Sequence, residues 1–382
     1  MSAYLSLKEI WRNKGRFFLF SLVIALIAIL VLFTAGLGEG LASANKEYLE
    51  KLDANLLVFQ EGTGYSTIES RLDYTKVKRI SRVDGIADAG PIGFSNAEIY
   101  LGDDVAALDI SFVGIEPGKP GLPAPIIGET IRSRQSKVVM IDERIADAAN
   151  VSVGDYITIK STQSTDDKYF DLRVVGITSG QQYFFQPSVF VSLPVWDKYR
   201  PKADPNISSS RPVTNIIAVQ LENPADAEAM STRIEAAVAD IETTDIKTAY
   251  ESSPGYSAQQ STLNTIKGFT FLIGALVIGG FFQIQTLQKV PQIGMLKAIG
   301  TPNKTVASAA IMQIIFVTVF GVAFGGAVVL GLALGLPSSV PIFFTGTSIG
   351  ITVISLLLIG PLGGMVSIRL ALKVEPLRAL GM

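Results

Sequence analysis

TVASAAIMQIIFVTVFGVAFGGAVVLGLALGLPSSVPIFFTGTSIGITVISLLLIGPLGGMVSI, residues 305–368, contains no charged side chain. A lipid-exposed helix needs about 20 apolar residues to cross a hydrocarbon layer of roughly 30 Å, and a charge held there costs several kcal/mol. The stretch is long enough for two crossings, divided near Leu336-Pro337-Ser338-Ser339-Val340-Pro341. Two further apolar runs, residues 17–37 and 263–287, lie upstream with a long polar region between them. Only Lys267, near one end of the second, interrupts them.

Charge sets the orientation. Lys8, Arg12, Lys14 and Arg16 precede the first run, Lys289, Lys297 and Lys304 follow the second, and Arg369, Lys373 and Arg378 follow the last. Basic flanks stay in the cytoplasm, so both termini are expected inside and the polar region outside. The expected fold class is a membrane protein with four transmembrane α-helices and a large α+β extracytoplasmic domain inserted between the first and second. The segments read as 1–38 (cytoplasmic N-terminus and first span), 39–262 (outer stalk and α+β domain), 263–288 (second span) and 289–304 (cytoplasmic helix). They continue as 305–336 (third span), 337–346 (outer loop), 347–368 (fourth span) and 369–382 (cytoplasmic tail). A basic start, an apolar core and Ala42-Ser43-Ala44 imitate a cleavable signal. A core of about twenty residues exceeds the usual 7–15 of such a signal and fits a retained anchor.

Of the 382 residues 48% are hydrophobic and 17% charged, the bias of a chain mixing lipid-embedded helices with a water-soluble part. A net charge of −2 with no basic and aromatic stripe argues against nucleic acid as a partner. Cysteine and histidine are both absent. That removes disulfides, thiolate metal sites, the commonest zinc ligand and every triad built on His or Cys. No catalytic residue and no metal site is expected, since no Ser/Lys spacing points to a cleft.

Within the outer region, short β-rich runs at residues 56–59, 108–113, 137–141, 156–159, 172–175, 189–192 and 216–220 alternate with Gly, Pro, Asn and Asp. Helical spacing marks residues 142–149 and 224–241, the latter with Asn223 as N-cap before Pro224. A barrel-like lobe over residues 133–192 and a second lobe from the flanking segments are expected. Leu41, Ala44, Tyr48 and Leu52 keep helical spacing, so the first span is expected to continue outward as a stalk. Gly36/Gly40, Gly321/Gly325, Gly331/Gly335 and Gly360/Gly364 are each spaced by four, a pattern that lets helix backbones approach closely, as at a dimer seam, although membrane helices are rich in glycine anyway.

On the cytoplasmic side, Pro291 and Gly300 stand where a short helix starts and stops, and Ile293, Leu296 and Ile299 recur at spacing three. The plain alternative is an interfacial reversal loop. The run IGMLKAIG, residues 293–300, resembles the coupling helix of MacB/FtsX-like (type VII) ABC transporter permeases. LALKVEPLRAL, residues 370–380, resembles the same family's C-terminal signature, and residues 138–175, with their Ser152-Val153-Gly154-Asp155 turn, its outer-domain core. Likeness to the haem-exporting branch is carried by Lys14-Gly15-Arg16-Phe17, Thr34-Ala35-Gly36-Leu37, residues 113–118 (VGIEPG) and residues 254–260 (PGYSAQQ). One departure is Gln292, where many members carry an acidic residue; a hydrogen bond, not an ion pair, is what it can offer a partner.

The resemblance implies a non-catalytic permease subunit, present as a homodimer in the cell membrane, with two copies of an ABC ATPase that bind ATP and Mg. No phosphate-cradling Gly-x-x-x-x-Gly-Lys-Ser/Thr run occurs in this chain. The ATPase would grip Pro291, Gln292, Ile293, Gly294, Leu296, Lys297, Ile299 and Gly300, and its closure would move the first two spans and their stalks. The implied cargo is a hydrophobic or amphipathic molecule, with haem first, and no cofactor belongs to the permease itself. Without His or Cys, haem iron is left with Tyr, Met or a carboxylate. Glu39, Glu47, Tyr48, Tyr250 and Tyr256, near the outer ends of the first two spans, are the candidates. The competing readings are a mechanical relay that activates an outer cell-wall hydrolase, as FtsX-like relatives do, and an exporter of another cargo such as a drug, peptide or lipoprotein.

Overall fold

The computed structural model describes residues 11–101, 106–202, 212–336 and 342–373. Lys8, the proposed break at 337–341, and the part of the C-terminal signature from Val374 onward lie outside the described residues. The chain divides into two compact units, Ala42–Ala258 and the pair Met1–Leu41 with Gln259–Met382.

The outer unit is built on one large sheet and a separate two-stranded one. Its strands are β1 (Leu56–Gln60), β2 (Leu72–Asp73), β3 (Ile86–Tyr100), β4 (Leu108–Ile115), β5 (Ile127–Gly128), β6 (Val138–Asp142) and β7 (Tyr156–Gln163). Then follow β8 (Asp166–Thr178), β9 (Gln182–Tyr183), β10 (Gln186–Ser192), β11 (Val213–Thr214), β12 (Ile216–Leu221) and β13 (Ile241–Asp245). Pairing runs β3-β4-β10-β6-β8, and β7 bonds to both β8 and β3. Those six strands therefore close a ring. Inward residues fill it: Ile99, Ile110, Phe112, Val139, Ile141, Ile157, Ile159, Leu172 and Val174 are all buried.

The barrel is thus larger than residues 133–192, because it needs β3 and β4. The long strand β3 belongs to both lobes. Its second half completes the ring, while its first half pairs with β12 in a smaller sheet ordered β13-β1-β12-β3. Alternation in β1 sends Leu56 and Val58 to one face, against Val77, Ile80, Met230 and Ile234, and Leu57 and Phe59 to the other, with Tyr48, Leu49 and Leu52. Gly90, Pro91 and Gly93 all lie inside β3, and Gly93 is there for a packing reason. Gly93 faces Gly114 across the ladder, and a methyl on either would come within 2.6 Å of Trp196. Trp196 lies on that bare patch and donates its indole N–H to Ser95 Oγ and Phe112 O, each at 3.0 Å.

The expected helix at 224–241 is shorter. Asn223 accepts from Ala225 N at 3.2 Å, Pro224–Asp226 forms a 3-10 turn, and the helix proper is Ala227–Ala237. Val238 is extended and Asp240 takes φ 55°, which turns the chain into β13. The helix at 142–149 appears as Glu143–Ala149, with Asp142 as N-cap and Asn150 left-handed at its end.

Four long helices supply the membrane unit: Lys14–Glu50 (α1), Tyr256–Gln288, Asn303–Gly335 and Gly346–Lys373. The first three are long and apolar enough to cross a membrane, whereas the apolar part of the fourth, Ile349–Met365, is shorter. α1 continues unbroken to Glu50, its last residues belonging to the outer unit. Two of the four glycine pairs form seams within the chain. Methyl groups on Gly321 and Gly325 would overlap Ile24 and Ala25 O of α1, and on Gly360 and Gly364 would overlap Thr318 and Ile314. Gly331 and Gly335 meet nothing within 4 Å.

Candidate functional site

The cytoplasmic candidate is the helix Val290–Ala298, with Pro291 in its first turn. It ends because Gly300 takes φ +94°, which lets Gly300 N reach Lys297 O at 3.0 Å and Thr301 N reach Leu296 O at 3.0 Å. Gly294 is buried, Ile293 and Lys297 are half-buried, and Pro291, Gln292 and Gly300 are exposed. Met295, Leu296 and Ile299 are 55%, 44% and 78% exposed. Three polar ties hold the region: Lys297 Nζ donates to Leu372 O at 2.7 Å, Lys289 Nζ to Gln313 Oε1 at 3.2 Å, and Arg16 to Gln288. The outcome is a short rod, pinned on one side and showing an amide and large apolar side chains on the other.

Of the five residues named for haem, Tyr48, Tyr250 and Tyr256 belong to one apolar cluster of the outer unit. Tyr48 is 1% exposed, its O–H donates to Gly121 O at 2.7 Å, and its ring lies 5.3 Å from that of Phe190. Burial pushes its phenol well above the usual range. A tyrosine so placed is a core residue. Glu47 is taken by Arg144 at 3.2 Å and Lys51 at 3.4 Å. Tyr250 and Tyr256 do come together, edge to face at 5.8 Å, with Lys46 Nζ 5.1 Å from the Tyr250 ring and 2.7 Å from Glu50. Burial raises the Tyr250 phenol, while the Lys46 charge opposes the rise. Glu39, in the membrane unit, accepts from Thr345 Oγ1 at 3.3 Å.

An apolar groove in the membrane unit was not legible in the sequence. Phe20, Val23, Ile24, Val277, Ile278, Phe281 and Phe282 line it, with a volume of about 130 Å³. Uniformly apolar runs offer no contrast by which such a lining stands out.

The profile of the MacB-like periplasmic core domain matches residues 17–237, and that of the FtsX-like permease C-terminal region matches residues 264–376. This chain is a MacB/FtsX-type ABC transporter permease. Relatives span the whole permease. HrtB of Staphylococcus haemolyticus, named as a hemin transport system permease protein, is 25% identical over 378 residues, 99% of each chain. Its namesake in Staphylococcus epidermidis is 26% identical over the same share of each. The solved periplasmic region of MacB from Actinobacillus actinomycetemcomitans aligns with 52% of the permease and 92% of its own chain, at 14% identity and a TM-score of 0.34. The family makes the permease a membrane transport subunit with an ATPase partner and a periplasmic core domain.

Proposed function

We propose that the permease exports haem, with two copies of it coupled to two copies of a separate ATPase. The carrying observation is the end-to-end match to proteins named for hemin transport. The basic flanks and the four long helices support a reading of four spans with both termini in the cytoplasm. ATP and its Mg belong to the partner. The exposed side of Val290–Ala298, with Gln292, Leu296 and Ile299, is the surface the ATPase grips, and Pro291, Ile293, Gly294, Lys297 and Gly300 give that rod its limits and its anchorage.

Motion imposed there passes into the long helices, and α1 carries it without a break into the outer unit. Closure expels an amphipathic cargo sideways from the outer leaflet; the wholly apolar groove on Phe20, Ile24, Ile278 and Phe282 suits such a cargo better than an ion. Haem is the substrate; Glu39 in the membrane unit and Tyr256 in the outer unit are each, taken separately, a candidate oxygen ligand, whereas Tyr48 is core and Glu47 is ion-paired. An absorption titration with haem tests this on the purified complex. Glu39→Gln or Tyr256→Phe is expected to shift the haem band; unaltered spectra in both variants would remove the assignment.

A further inference from the structure

Within the outer unit, the far end of α1 is held to the barrel by one strap of chain. Residues 179–185 run from β8 to β10 and pass the end of β6, the strand that pairs with both. Three positions of the stalk meet the strap, at spacings of three and four that set them on one helix face. Ala44 O accepts from Phe185 N at 3.0 Å, Glu47 Oε2 accepts from Gln182 N at 3.4 Å, and Lys51 Nζ, one residue past the helix end, donates to Ser179 O at 3.3 Å. Gly180 takes φ +65°, and a methyl there would overlap Lys51 Nζ and Glu47 Oε1. The strap is shaped around the stalk.

Glu47 reaches further than the strap. Its Oε2 also accepts from Arg144 Nη1 at 3.2 Å, and its side chain is only 13% exposed. Arg144 stands in the first turn of the helix Glu143–Ala149, whose N-cap, Asp142, is the last residue of β6. Asp142 is fully buried; it accepts from Arg144 N at 3.1 Å and from Gln181 N at 2.7 Å, which joins that helix to the same strap. Ser179 Oγ adds a bond of 2.6 Å to Glu143 Oε1. Stalk, strap and helix therefore meet at two carboxylates, Glu47 and Asp142, bridged by Arg144, which lies 3.4 Å from the second. The stalk's other contacts are apolar: Tyr48, Leu49 and Leu52 pack in the core with Phe94 and Phe190. Apolar burial is non-directional and fixes the height and rotation of a helix less sharply than charged hydrogen bonds do.

We propose that Glu47 is a positioning residue of export: with Arg144 it forms the joint that passes movement of the stalk into β6, β8 and β10 of the barrel. The joint presupposes the ATPase-driven movement of α1 proposed above.

Hydrogen exchange on the permease with its ATPase in nanodiscs, compared without nucleotide and with ATP and vanadate, tests the joint whatever cargo is carried. In wild type, vanadate trapping should change exchange several-fold both in the stalk, residues 42–50, and in β6, β8 and β10. Glu47→Gln, which nearly conserves shape, should keep the change in the stalk and lose it in the three strands. Arg144→Gln should do the same, and the double variant no more than either alone. Lys119→Met, which breaks the Lys119–Asp88 pair of 2.6 Å elsewhere on the unit, should transmit as wild type does. A role in stability alone would raise exchange without nucleotide and leave the trapping response of the strands in place. That result in Glu47→Gln would overturn the joint, while a wild-type stalk indifferent to trapping would sink the ATPase-driven movement and the joint with it.

Discussion

Lys297 Nζ donates to the main-chain carbonyl of Leu372 over 2.7 Å, tying the short helix Val290–Ala298 to the last long helix of the membrane unit. The bond gives Val290–Ala298 a fixed footing on that helix. A hydrogen bond from a charged donor contributes about 1.5–3 kcal/mol. Replacing Lys297 by Met keeps the stem and removes the donor. The expected result is a complex that still assembles but whose ATP turnover responds several-fold less to cargo, measured in proteoliposomes; an unchanged response would mean the footing lies elsewhere.

Tightness of the glycine seams is testable by volume. Gly325 packs against Ala25 O and Ala28 of α1, whereas Gly331 meets nothing within 4 Å. Overpacking costs about 1–3 kcal/mol or more where backbone must shift. Gly325→Leu should lower the unfolding temperature in detergent by several degrees, and Gly331→Ala should leave it unchanged.

Phe184 and Phe185 form the two-residue turn between β9 and β10 with φ 53° and 65°. A left-handed conformation costs a residue with a Cβ roughly 1–2 kcal/mol, and such hairpin turns favour Asn and Gly. Phe185 N nevertheless reaches Ala44 O at 3.0 Å, fixing the turn to the stalk. Because Phe185 is 45% exposed, Phe185→Gly gives up little packing and should stabilise the outer unit by about 0.5–1 kcal/mol in chemical denaturation.

Burial pushes the Tyr183 phenol from 10.0 up to about 12, against hydrogen bonds to Thr67 and Ser253 that pull it down. A folded value above the unfolded one means that this contribution is intact below pH 10 and is lost as pH rises through about 12. Wild type should therefore lose stability over that window more steeply than Tyr183→Phe. Parallel unfolding curves would contradict the buried phenol.

Much of this architecture can be read from the chain because solvent writes it into local pattern. The charge-free stretches mark the long helices, Pro291 and Gly300 bracket the short one, and apolar runs such as residues 138–141 and 216–220 lie inside β6 and β12. What escaped depended on distant partners. β3 is interrupted by glycines, of which Gly93 makes room for Trp196, a residue about a hundred positions away. Tyr48 and Tyr256 look alike in sequence, yet one is sealed in the core by Phe94, Tyr183 and Phe190 while the other packs edge to face on Tyr250. Spacing alone also cannot say whether a glycine pair seals a seam within the chain, as Gly360/Gly364 does, or stays open, as Gly331/Gly335 does.

In the proposed function, work done by a partner ATPase enters through Val290–Ala298 and drives haem export. Its most direct measurement is haem-stimulated ATP hydrolysis and haem loss from proteoliposomes holding the permease with its ATPase, compared with Leu296→Asp. The account predicts that haem accelerates hydrolysis and leaves the bilayer in wild type, and that Leu296→Asp assembles yet does neither. Hydrolysis indifferent to haem, or an undiminished response in Leu296→Asp, would contradict it.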